Sequence, residues 1–225
     1  MRRVRLAILV LVVCGGLAFA SNASSSQGDA VNGGSTWNGA RVNITGSGTL
    51  GSTSALWATV AIQNCDPQSC SPLYPGPAGG YQVGEHDSTS NYTDDCGTGI
   101  IGVVAERLPV NGYYACNPYF GTWGSNQRFA EVYVSGSGWQ GYENGTKIDG
   151  PYSLGYTGGW TIARGEYENT APSSYSFTWG PSGYTAWQAS TNNGSSYTTL
   201  LTSTAESNGS GWTIGSAPSP FTISR

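Results

Sequence analysis

Charged residues are scarce in this chain: they make up 10% of its 225 residues, with one histidine and one lysine. The formal net charge is −4, from nine basic and 13 acidic residues. A nucleic-acid or anionic-membrane surface needs clusters of Lys and Arg, so neither partner is expected. With His86 as the lone imidazole and no Gly-x-Ser-x-Gly turn, a Ser-His-Asp triad is not expected either. Because few cations repel one another at low pH, the composition suits an acidic environment.

Long apolar runs are absent after the first 20 residues, and no later segment approaches the 18 residues that would span a bilayer. Met1–Arg5 is positively charged, Leu6–Leu17 is mostly apolar, and Ala18-Phe19-Ala20 has the small-x-small pattern of a cleavage site. These features predict a secretory signal peptide over residues 1–20, and therefore a secreted protein. Three of the nine basic residues lie in this segment, so the mature chain carries six against 13 acidic ones, a formal charge of −7.

Four cysteines follow the signal peptide: Cys65, Cys70, Cys96 and Cys116. An even number of cysteines in an exported chain indicates disulfides, with three connectivities open. We favour Cys65–Cys70, which closes a tight loop around Pro67, and Cys96–Cys116, which closes a longer one. A structural zinc site is the alternative, but it needs a CxxC-like pair or more histidines, so we expect no metal.

Short runs of alternating apolar and polar residues dominate the chain from residue 36 onward, for example at Leu56–Ile62 and Tyr175–Trp179. No segment has a convincing period of 3.6, and 34 glycines disfavour helices. We therefore predict one all-β domain over residues 36–225, an antiparallel two-sheet sandwich or jelly roll. Residues 21–35 are rich in Ser, Asn and Gly without apolar periodicity, which predicts a flexible leader.

Two glutamates, Glu131 and Glu166, lie within predicted strands beside aromatic residues. A carboxyl group on an aromatic sheet face is desolvated, its pKa rises, and it can then act as a general acid or base. The alternative is that this face is solvent-exposed and the glutamates only keep it hydrated.

Three segments resemble the secreted glutamic peptidases, or eqolisins, which are acid endopeptidases with a concanavalin-like sandwich fold. Thr36–Val42 (TWNGARV) is similar to the family's opening Trp-x-Gly-Ala strand, and Gly80–Gly84 (GYQVG) to the motif that holds its catalytic glutamine. Phe129–Tyr133 (FAEVY) is similar to an aromatic-rich strand carrying an active-site glutamate. The resemblance implies the concanavalin-like fold and a role for Gln82 and Glu131.

The resemblance also implies a catalytic glutamate three positions after a tryptophan, and Trp160 fits that tryptophan. Ala163 stands where the glutamate belongs, and Glu166 follows three residues later. We take Gln82 and Glu166 as the catalytic pair, with Glu131 and Trp160 in support, although a shift of three residues reverses the sheet face unless a bulge intervenes. The expected activity is cleavage of an unfolded polypeptide at acid pH without a metal or other cofactor, or a scaffold whose catalytic site is degenerate.

A non-catalytic carbohydrate-binding, lectin-like or cell-surface structural protein is the alternative function. The chain has eight tryptophans and 14 tyrosines, whose flat rings can stack on the sugars of an extracellular polysaccharide. Trp139, Tyr142 and Trp179 are the candidate binding residues in turn-rich stretches. The competing interpretation is that these rings fill the core.

Overall fold

A computed structural model describes residues 25–51, 54–68, 78–94, 96–181 and 185–225. These residues form strands and connecting turns, with no helix among them. The strands are β1 (Ser25–Trp37), β2 (Gly39–Thr49), β3 (Ala55–Gln63), β4 (Gly80–Ser88), β5 (Thr93–Asp94), β6 (Gly97–Thr98), β7 (Ile101–Leu108), β8 (Ala115–Phe120), β9 (Gln127–Val134), β10 (Gly138–Glu143), β11 (Thr146–Tyr152), β12 (Gly159–Glu168), β13 (Ser174–Trp179), β14 (Gln188–Ser190), β15 (Thr198–Thr199), β16 (Thr204–Ser207), β17 (Thr213–Ile214) and β18 (Phe221–Ser224).

Two large antiparallel sheets form the sandwich, as the alternating pattern predicts. One sheet has the strand order β16-β1-β12-β3-β4-β7-β8. The other has the order β11-β10-β9-β2-β13-β18-β17, and β14 extends it by pairing with both β2 and β15. A two-stranded hairpin, β5–β6, stands apart from both. In the described part of the chain, no helix is long and apolar enough to cross a membrane.

The core lies between the inner faces of the two sheets. Alternate residues of β3 (Leu56, Ala58, Val60 and Ile62) are fully buried there. They pack against apolar side chains of β2, β9 and β13, including Phe129 and Phe177. The period-2 pattern of each strand therefore places one set of side chains in the core and the other set on the outer face of its sheet.

The predicted flexible leader is wrong for residues 25–35, which belong to β1. This strand pairs with β12 from Ser25–Glu168 to Asn32–Thr161, and with β16 on its other side. Gly28 allows the ring of Trp212 to lie within 2.8 Å of the position a Cβ would occupy. Composition misled here because backbone pairing on both sides of the strand does not depend on apolar periodicity. The predicted signal peptide lies outside the described residues.

The disulfide Cys96–Cys116 is present, with a sequence separation of 20 residues, as we predicted. It connects the turn between β5 and β6 to β8. Cys70 lies outside the described residues, so the Cys65–Cys70 bond stays a prediction.

A buried carboxylate joins the edges of the two sheets. Asp149 of β11 accepts hydrogen bonds from the hydroxyls of Tyr81 (2.8 Å), Tyr119 (2.7 Å) and Tyr152 (3.0 Å), and from the amide of Asn117 (2.8 Å). Burial and the neighbouring Asp149 raise the pKa of Tyr81 well above its ordinary value, so that its hydroxyl remains a donor. β4 and β8 of one sheet are thereby tied to β11 of the other.

We expect Asp149→Ala to lower the free energy of unfolding by about 3 kcal/mol, because one buried donor (Tyr81) and three partly buried donors lose their acceptor. Urea denaturation at constant pH measures this change. Asp149→Asn keeps one acceptor oxygen and is expected to lose less. A loss below about 1 kcal/mol for the alanine variant would show that the network contributes little.

Candidate functional site

The outer face of the seven-stranded sheet carries most of the buried polar side chains outside the core. Residues in register across the strands form three rows on this face. The Gln82 row contains Cys116, Glu106, Gln82, Ala61, Ile162 and Val31. The Arg164 row contains Val104, Gly84, Thr59, Arg164, Asp29 and Glu206. The His86 row contains Gly102, His86, Trp57, Glu166 and Gln27.

Gln82 contacts a glutamate, but not the one that the sequence predicts. Its Nε2 donates a short hydrogen bond to Oε2 of Glu106, which lies directly opposite on β7. The hydroxyl of Thr59 donates to Oε1 of Gln82 at 3.0 Å. These two bonds fix which end of the amide is nitrogen and hold that nitrogen against the carboxylate. Gln82 is 6% exposed and Glu106 is half-buried.

The structure does not bring Glu166 to Gln82. Both side chains lie on the outer face, but β3 separates their strands and four residues separate their rows. With strands about 4.8 Å apart and a rise of about 3.4 Å per residue, the two Cα atoms are about 16 Å apart. The pair Gln82–Glu166 therefore cannot share one water molecule. Ala163 faces the core and is fully buried, so it occupies the wrong face for a catalytic group.

The Arg164 row contains an ion pair beside Thr59. The guanidinium of Arg164 donates to both carboxylate oxygens of Asp29, at 3.0 and 2.9 Å, and both side chains are buried. Burial lowers the pKa of Arg164, but the Asp29 carboxylate more than compensates and holds it above its ordinary value. At the end of the row, burial and the neighbouring Asp66 and Asp29 raise the pKa of Glu206 to about 7.

A segment that we call the strap, residues 88–94 and 96–100, covers the His86 row. Tyr92 donates from its hydroxyl to Glu168 of β12 at 2.8 Å, and Asp94 pairs with Nε2 of His86 at 2.9 Å. Trp57 faces outward from the sheet yet is buried, together with Cys96 of the strap. The strap thus closes this end of the outer face, and His86 is buried beneath it.

His86, Asp94 and Cys96 form a group with the spacing of metal ligands in the described residues, their ligand atoms lying within 4.8 Å of one another. The sulfur of Cys96 is bonded to Cys116, and Oδ1 of Asp94 accepts the backbone N–H groups of Cys96 and Gly97. A thiolate ligand is therefore absent from the group, and the carboxylate already serves the turn.

Glu131 is fully buried, and its carboxyl oxygens have no hydrogen-bond partner among the described residues. Burial raises its pKa well above the ordinary value, which is the direction the sequence predicts. However, Glu131 lies inside the sandwich, where its charge also raises the pKa of Tyr81 on the opposite sheet. It is therefore on the other side of the sheet from Gln82 and does not support that site.

Trp160 does face outward, one row beyond Gln82, and its ring packs over Gly33 of β1. It is half-buried. Of the predicted sugar-binding residues, Trp139 and Trp179 are fully buried in the core and cannot stack on a ligand. Tyr142 is half-buried and donates to Gln140. The prediction that Trp139 and Trp179 bind sugars is therefore wrong, because both fill the sandwich interior, and for Tyr142 it stays a prediction.

No protein-family model matches the chain, and no curated protein matches it either. Solved structures do. Scytalidoglutamic peptidase with a peptide-based transition-state analogue superimposes with a TM-score of 0.53 at 14% identity, covering 90% of this chain and 98% of that one. SCP-B, a member of the eqolisin family in complex with the tripeptide Ala-Ile-His, gives 0.51 at 15% identity, with the same coverage of both chains. The chain has the fold of the glutamic peptidases.

Within this glutamic-peptidase fold, sequence patterns alone missed Glu106, Thr59 and the Arg164–Asp29 pair. The apolar run Gly102–Ala105 before Glu106 is typical of a buried strand and was the signal available for β7. The pairing of β7 with β4 is a long-range feature, and it decides which glutamate contacts Gln82.

Proposed function

We propose that the protein is an exported acid endopeptidase of the glutamic type, in which Gln82 and Glu106 form the catalytic pair. The hydrogen bond between these two side chains on the outer sheet face is the observation that carries the proposal. The fold agrees with it, because structures of this fold bind a peptide-based transition-state analogue and a tripeptide. Export is supported by the N-terminal signal-peptide pattern and by the disulfide.

The chemistry requires one water molecule, one carboxyl group and one amide donor. Glu106 as carboxylate takes a proton from the water, whose oxygen attacks the carbonyl carbon of the scissile peptide bond. Gln82 Nε2 donates to the oxygen that becomes negative in the tetrahedral intermediate. Glu106 then gives its proton to the leaving nitrogen as the C–N bond breaks. Thr59 keeps the amide of Gln82 oriented during this sequence by donating to its oxygen.

Glu106 is a better candidate than Glu166 because a general base must lie within hydrogen-bond reach of the group it serves or be linked to it through one water. Glu106 lies opposite Gln82, whereas Glu166 lies in the row that the strap covers. Glu106 is also half-buried rather than fully enclosed, so a substrate can approach it from the solvent side.

Cleavage of a denatured protein at about pH 3–4 tests the proposal, since a carboxyl-based mechanism operates at acid pH. We expect cleavage that is insensitive to chelators and serine-directed reagents, and a loss of about 10²–10³-fold in kcat for Gln82→Ala, which removes the oxyanion donor. The variant must fold, as shown by circular dichroism. Acid cleavage that chelators stop, or that Gln82→Ala leaves intact, would contradict the proposed chemistry.

A further inference from the structure

Four large apolar side chains are exposed among the described residues: Ile101 (58% exposed), Tyr113 (70%), Tyr114 (38%) and Leu201 (69%). Tyr113, Tyr114 and Leu201 lie near one end of the seven-stranded sheet, whereas Ile101 lies at the other end of β7. Tyr113 and Tyr114 are adjacent in the loop between β7 and β8. Two neighbouring exposed tyrosines provide rigid amphipathic rings that contact a ligand at low entropic cost.

This loop is fixed at its base, which leaves the tyrosines at a defined position. Val110 donates its backbone N–H to Leu154 at 2.8 Å, and Gly112 donates to Pro109 at 2.9 Å in a tight turn. Val110 also packs closely against Gly79 and Gly155, where an added Cβ would lie only 2.8 and 3.0 Å from its side chain. The loop is therefore built on packed and hydrogen-bonded residues.

Tyr114 immediately precedes β8, the strand that pairs with β7 alongside Glu106. It is two residues before Cys116, which is in register with Glu106 on the neighbouring strand. Its phenol is also close enough to Arg164, on β12, to contribute to the raised pKa of that guanidinium. Since β7, β4 and β3 lie between β8 and β12, this interaction reaches across the outer face that carries Gln82.

Apolar residues also line the opposite side of this end of the sheet. Leu201 precedes Thr202, whose carbonyl accepts a bond of 2.8 Å from Asn32 near the end of β1. Trp160 lies between the two sides, facing outward one row beyond Gln82. The other end of the outer face is closed by the strap, so the end with Tyr113 and Tyr114 is the accessible one.

We propose that Tyr114 and Tyr113 form the subsite that receives a large apolar side chain of the polypeptide substrate next to the scissile bond. The inference rests on the proposed peptidase function and adds its specificity. A substrate chain extended over Gln82 and Glu106 would lay one side chain against these two rings. Apolar contacts of this size change kcat/KM by about 10- to 100-fold between a large and a small side chain.

The test uses two peptides that differ only in Phe or Ala beside the cleaved bond. Wild type is expected to cleave the Phe peptide with a kcat/KM about 10- to 100-fold above that of the Ala peptide. Tyr114→Ser is expected to reduce this ratio to a few-fold, mainly by lowering kcat/KM for the Phe peptide. Tyr113→Ser is expected to act in the same direction. Ile101→Ser, an exposed apolar position at the other end of β7, is the matched control and should keep the wild-type ratio.

Calorimetric binding of the same two peptides to Glu106→Gln separates the two proposals, because binding does not depend on turnover. If wild type cleaves both peptides and Tyr114→Ser keeps the Phe preference, the subsite is wrong and the peptidase function stands. If wild type cleaves neither peptide, but the Phe peptide binds more tightly and Tyr114→Ser removes that difference, the peptidase function is wrong and the subsite stands. If there is neither cleavage nor binding, both proposals fail.

Discussion

Glu106→Gln is expected to lower kcat for polypeptide cleavage by about 10²–10⁴-fold while leaving KM within a few-fold of wild type. Positioned proton transfer contributes a factor of this size, and the substitution removes proton transfer while preserving the shape of the side chain. Because the Gln82 amide is already oriented by Thr59, the binding surface should change little. Steady-state kinetics at acid pH on a purified, folded variant measures both constants.

Glu166→Gln is the matched control. It makes the same chemical change on the same sheet face, about 16 Å from Gln82 as strand geometry gives the distance. We expect kcat to remain within about tenfold of wild type, since this carboxyl group cannot reach a water held by Gln82. The reverse result, with Glu166→Gln inactive and Glu106→Gln active, would contradict our assignment and favour the pair that the sequence resemblance suggests.

The sandwich was predictable from the sequence because alternation is a local property. Leu56–Ile62 and Tyr175–Trp179 alternate as strands with one buried face do, and both form strands of the core. β1 was not predictable in this way, because Ser25–Trp37 derives its order from pairing with β12 and β16. Composition describes what a segment can bury alone, whereas a central strand is stabilised by its neighbours.

The proposed catalytic pair could be found only from the register between strands that are distant in the sequence. Gln82 was identified from a short motif, but its partner depended on which residue of β7 lies opposite it. Counting residues from Trp160 along one strand suggested Glu166. In the structure, however, the residue of β12 in the Gln82 row is Ile162, four residues before Glu166. A shift of one residue in register would have moved Glu106 to the core face, so only the paired sheet selects it.

Buried glutamates also make the stability of this fold depend on pH. Glu85 of β4 faces the core, where one carboxyl oxygen accepts the backbone N–H of Gly124 at 2.8 Å and the other has no partner among the described residues. Burial raises the pKa of Glu85 from 4.5 to about 8, the bond from Gly124 opposes this shift, and Glu143 adds to it. Glu131 is shifted in the same direction, and the pKa of Glu206 is raised to about 7.

The free energy of unfolding is therefore expected to increase as pH falls from about 9 to about 5. A glutamate whose pKa is higher in the folded state stabilises the fold fully below its unfolded pKa, and this contribution is lost as pH rises through the folded pKa. For Glu85 the window runs from 4.5 to about 8. At about 1.4 kcal/mol per pKa unit, its contribution is on the order of 5 kcal/mol. Urea denaturation at several pH values measures the slope of the free energy of unfolding against pH.

The control variant is Glu85→Gln, which is neutral at every pH. It should flatten the dependence of the free energy of unfolding on pH between pH 5 and 8, and an unchanged slope would show that Glu85 is not the group responsible.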